Sequence, residues 1–157
     1  MLFRSVTPRR EFRLSNRVKE KLGLLIAAFI GRSYYTNAPA WSLDALSGRL
    51  GVPVMSVEVV LVAIQRAGYI TETADVPPLY LPARSFETIR VKELLDTLRA
   101  AEEEPGQSAE ILPREPGVER LLAGMDKAAE ASLDGRTLRE LALINVPADE
   151  SKTTIDL

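Results

Sequence analysis

The chain has 157 residues, 46% hydrophobic and 27% charged, a composition typical of globular domains long enough to bury a sizeable core. It holds neither Cys nor His, which excludes disulfides, thiolate ligation of zinc or iron–sulfur clusters, Ser-His-Asp chemistry and histidine acid–base catalysis. The net charge of −2 hides an asymmetry: residues 1–40 carry eight basic against two acidic side chains, and residues 101–157 carry six against thirteen.

Residues 1–14 read as a basic arm with Arg4, Arg9, Arg10 and Arg13, and Arg17, Lys19 and Lys21 extend the charge onto the first helix. Such a cluster is expected to meet an anionic surface, either lipid or nucleic acid. No apolar h-region follows these arginines, so no secretory signal is expected. Ser15 caps a helix with Val18, Leu22, Leu25, Ile26 and Phe29 on one stripe. The run Leu22 to Ile30 is about half of the ~20 residues needed to cross a bilayer. Gly31 to Ala40 reads as a loop, broken by Asn37 and Pro39, and Trp41 as a short strand.

Ser42 caps a second helix with Leu43, Leu46 and Leu50 inward; Gly51 ends it and Pro53 opens a third, roughly Val54 to Ala67, closed at Gly68. Tyr69 to Thr73 and Leu79 to Leu81 read as a hairpin. Three helices followed by a hairpin predict a mainly α (α+β) winged helix-turn-helix over residues 15–101, with a fourth helix near Val91 to Ala100. Residues 102–117 read as a Pro/Gly/acidic linker and residues 118–144 as a C-terminal helical segment. In that segment Val118, Leu121, Leu122, Met125 and Ala129 share a face, and Thr137-Leu138-Arg139-Glu140 is a capping box. Residues 145–157 read as a polar tail.

The third helix is apolar on two opposite faces. Val57, Val60, Leu61 and Ile64 follow the i, i+3, i+4, i+7 rule and point to a core, while Met55, Val59 and Val62 point the other way with Arg66. A helix that reads bases carries donors on its outer face, and a wing that grips phosphates is basic. Here residues 68–83 hold no Lys or Arg, and Glu58, Glu72 and Asp75 are acidic. These residues argue against sequence-selective DNA binding and for a protein interface at Met55, Val59, Val62 and Arg66, covered by the fifth helix, a second copy or another protein. The acidic residues do not converge on rigid elements, so no enzyme, no cofactor and no small-molecule substrate is expected.

Several segments together resemble the cytoplasmic C-terminal domain of the YihY/BrkB membrane proteins, which have carried the label ribonuclease BN. They are Trp41-Ser42-Leu43-Asp44-Ala45-Leu46, Arg49-Leu50-Gly51-Val52-Pro53, Gln65-Arg66-Ala67-Gly68-Tyr69-Ile70, Tyr80-Leu81-Pro82-Ala83-Arg84, Ile89 through Leu95, and Leu133 through Leu141. The resemblance implies a non-catalytic interaction or regulatory module, cytoplasmic and at the inner face of the bacterial inner membrane, with the basic arm following a last membrane span. It carries over no catalytic residue. The alternative is a DNA-binding regulator similar to the IscR-like winged-helix family, many of which hold an iron–sulfur cluster on three cysteines that this chain lacks.

Overall fold

Ser15 starts the first helix, its Oγ accepting a hydrogen bond from the Val18 amide at 3.3 Å. The computed structural model describes residues 13–104 and 106–144, so Arg4, Arg9, Arg10, most of the basic arm and the polar tail lie outside the described residues. Helix α1 (Asn16–Tyr35) continues through Gly31, where a loop is expected from the sequence. The reason is packing: a β-carbon on Gly31 would stand 2.8 Å from the Ala142 β-carbon and 2.9 Å from the Phe86 ring. The missing side chain lets two other elements close onto the helix. Thr36 ends it, donating through both its amide and its hydroxyl to the Arg32 carbonyl.

A two-residue strand β1 (Trp41–Ser42) leads into α2 (Leu43–Leu50), capped by Ser42, whose Oγ accepts from the Ala45 amide at 3.2 Å. Gly51, at φ +66°, turns the chain into α3 (Val54–Arg66). Strands β2 (Ile70–Glu72) and β3 (Leu79–Pro82) form the wing. The sheet is antiparallel in the order β1-β3-β2, with Trp41 opposite Tyr80 and Thr71 opposite Leu81. After a 3-10 turn at Phe86–Thr88 comes α4 (Val91–Ala100), which crosses α1 where Gly23 leaves room for the Leu98 side chain.

Ile26, Ile30, Leu46, Val57, Val60, Leu61, Ile64, Phe86, Ile89, Leu94 and Leu98 form a single buried core. The fold is therefore a mostly helical winged helix with a small antiparallel sheet, as expected. Two further helices follow: α5 (Pro116–Leu133) and α6 (Leu138–Leu143). Helix α6 is built into the core: Leu138 and Ala142 are fully buried, and Val91 and Leu138 donate backbone bonds to the Arg136 and Ile89 carbonyls at 2.8 and 2.9 Å. The capping box is present, with Thr137 Oγ1 accepting from the Glu140 amide and the Thr137 amide donating to Glu140 Oε2.

Helix α5 buries none of its residues. Its ties to the body are two ion pairs and its last residue: Lys92 donates to Asp126, Arg90 Nη1 lies 3.3 Å from Glu130 Oε1, and Leu133 packs half-buried against the core. Among the described residues no helix is long and apolar enough to cross a membrane.

Candidate nucleic-acid interface

The turn between α2 and α3 is stiffened by one side chain. Ser47 Oγ donates to the Val52 carbonyl at 2.6 Å while the Gly51 and Val52 amides donate to the Ser47 carbonyl. A left-handed glycine followed by Val52-Pro53 then fixes where α3 begins, and Pro53 supplies no side-chain cap. The inner face of α3 (Ser56, Val57, Val60, Leu61 and Ile64) is buried. Its outer face is open: Met55 is 56% exposed and Val62 37%, Val59 is half-buried, and Glu58 and Arg66 are exposed.

Together with Thr97, Ala100, Ala101 and Glu102 at the end of α4, these residues line an open groove of about 640 Å³. Cover by the fifth helix, one of the coverings expected from the sequence, does not form. Val118, Leu121, Leu122 and Met125 of α5 are all at least 50% exposed and line no part of this groove. The acidic tethers Asp126 and Glu130 pair with Lys92 and Arg90 of α4 and its cap, which leaves the apolar side of α5 without a partner among the described residues.

Basic groups gather at the other end of α3. Arg17 and Lys21 line a second depression with Val18, Leu50, Val52 and Ser56, so the cationic end of α1 lies beside the helix-turn-helix turn. Lys19 does not share that surface. It is buried, 2% exposed, and lies 3.2 Å from Glu102 Oε2, because its position on α1 faces the end of α4. Arg13 is exposed and lies 3.7 Å from Glu104. Two cations missed in the sequence flank the motif: Arg49, set 5.3 Å from the Phe29 ring centre, and Arg84, set 5.2 Å from that of Tyr69. Their signal was position, one in the last turn of α2 and the other just past β3.

The wing is neutral to acidic. Thr73 Oγ1 organises its tip, donating to Asp75 at 2.6 Å and accepting from the Asp75 and Leu79 amides. At its base, burial pushes the Tyr80 hydroxyl above its ordinary value, and the carboxylates of Glu72 and Glu58 push it further. Glu58 of α3 and Glu72 of the wing therefore face the same phenol. Among the described residues no group of three or more His, Cys, Asp or Glu could hold a metal ion.

No protein-family model and no curated protein matches the sequence. Solved structures do match. CymR of Staphylococcus aureus aligns at 22% identity and TM-score 0.59, covering 79% of this chain and 94% of that one. CymR (YrzC), the global cysteine regulator of B. subtilis, aligns at 20% and 0.61, covering 87% and 100%. IscR of T. potens aligns at 19% and 0.57, covering 83% and 85%. At these identities the likeness establishes the fold.

It also corrects the resemblance drawn from short motifs. The matching architectures are those of CymR and IscR, so the YihY/BrkB membership, the ribonuclease BN label and the association with a membrane fall away. The expectation against sequence-selective DNA falls with them, because residue type on one helix face was set against an architecture shared over 87% of this chain with a global cysteine regulator.

Proposed function

We propose that this chain is a cytoplasmic, non-catalytic, DNA-binding transcriptional regulator of the winged-helix type, in which residues 15–101 together with α6 dock on DNA and α5 pairs two copies. One observation carries the reading: α3 presents an open outer face in a helix-turn-helix whose turn is flanked by Arg17 and Lys21. A second helix so placed enters the major groove, while cations beside its amino-terminal end meet the phosphates. The fold shared with CymR and IscR supports the same reading.

The unpartnered face of α5 supports the pairing. Val118, Leu121, Leu122 and Met125 form an apolar stripe on a helix that buries nothing in its own chain. A second copy covers such a stripe by two-fold self-complementarity. Two recognition helices related in that way meet half-sites about one helical turn apart, roughly 34–36 Å.

The test is selection of binding sites by the full chain from a random duplex library, followed by mobility shifts of the enriched sequences against scrambled ones. Enrichment of a two-fold symmetric site supports the reading. If no sequence is enriched, even at low salt, the reading is overturned.

A further inference from the structure

Between Met55 and Arg66 no residue of α3 that lines the groove carries a hydrogen-bond donor, Gln65 being half-buried and off its lining, and this limits what that face can read. Met55, Val59 and Val62 lie on it in one stripe, with Glu58 alongside as an acceptor only. Purine edges in the major groove present acceptors, N7 on both and O6 on guanine. An apolar side chain pressed on them would strand those acceptors without partners, which costs more than the contact returns. One base edge offers carbon instead, the C5-methyl of thymine.

We propose that α3 selects its site by apolar contact of Met55, Val59 and Val62 with thymine methyl groups on successive base pairs, an inference that rests on the DNA-binding reading above. The spacing suits it. Seven residues from Met55 to Val62 rise about 10.5 Å along the helix, or roughly three base steps of ~3.4 Å. The cations suit it as well: Arg17 and Lys21 stand near one end of the stripe and Arg66 closes the other. These groups anchor the backbone without contributing sequence information, which leaves discrimination to the stripe.

Sites selected from a random duplex library by the full chain provide the probe. Each enriched duplex is compared with the same duplex in which thymine is replaced by deoxyuracil, which removes the methyl and keeps the pairing. We expect thymine-bearing half-sites and affinity about fourfold weaker for each contacted methyl removed, the worth of one buried carbon. V59A and V62A should bring the thymine-to-uracil ratio towards one, while an R17E/K21E chain weakens both duplexes alike. Sites that are enriched yet bind equally well in the uracil form overturn this inference and leave the DNA-binding reading standing. If no sequence is enriched, both fall together.

Discussion

Gly31 of α1 lies directly against Ala142 of α6: a β-carbon added to Gly31 would stand 2.8 Å from the Ala142 β-carbon. That close approach, repeated on the same glycine by the Phe86 ring at 2.9 Å, joins the chain's last described helix to its first. The winged-helix body is thus closed by a segment more than a hundred residues away from the helix it covers.

Gly31→Ala is therefore expected to destabilise the fold by about 1–3 kcal/mol, the usual cost of overpacking. Gly48→Ala is the matched control. It lies inside α2 with nothing within 4 Å of its added β-carbon, so it should stabilise by roughly 0.5–1 kcal/mol. Urea unfolding of the two variants reads both signs. A neutral Gly31→Ala would mean that α6 is not packed as described.

Replacing Arg17 and Lys21 by Glu is expected to weaken binding of duplex DNA regardless of sequence. The slope of affinity against salt should fall by about one for each phosphate that is no longer neutralised. Neither residue is buried, so the thermal midpoint should hold. Fluorescence anisotropy at several salt concentrations checks this, and an unchanged slope would place the phosphate-binding cations elsewhere.

Leu121→Glu and Met125→Glu should separate two copies without unfolding either, because α5 buries none of its residues in its own chain. Light scattering at matched concentration should show the parent as a dimer and the variants as monomers. A monomeric parent would sink the pairing.

Above pH 10 the fold should weaken through two groups. Lys92 is raised above its ordinary 10.5, first by its bond to Asp126 and then by that to Asp96, against the opposing effect of burial. Its contribution is complete below 10.5 and is lost as the pH passes the raised value. Tyr80 is raised above 10.0 by burial, so the unfolded phenol ionises first and stability falls in the same direction. Thermal melts between pH 9 and 12, a window that starts below both ordinary values of 10.0 and 10.5, should show a drop for the parent. Lys92→Met and Tyr80→Phe should each flatten part of it.

Much of the local architecture was legible in the residues themselves. Ser15, Ser42 and the Thr137–Glu140 box cap the helices they start, and Gly51-Val52-Pro53 makes the turn. The inward stripe Val57, Val60, Leu61 and Ile64 is buried as its spacing requires. Less legible were residues whose partner lies far along the chain. Lys19 resembles Arg17 and Lys21 in type and helix, yet a shift of two positions sends it to Glu102 instead of the surface.

Local chemistry decided where helices start, stop and face inward, because capping and the 3.6-residue period involve neighbours within one turn. Tertiary structure alone decided that α6 completes the core, that the apolar stripe of α5 stays uncovered and that the outer stripe of α3 stays open. Those outcomes depend on which surfaces meet, and a glycine such as Gly31 marks a close approach without naming the helix that makes it. An apolar stripe likewise records that something must cover it. Whether that is its own chain, a second copy or the methyl groups of DNA depends on the three-dimensional placement of the charges around it.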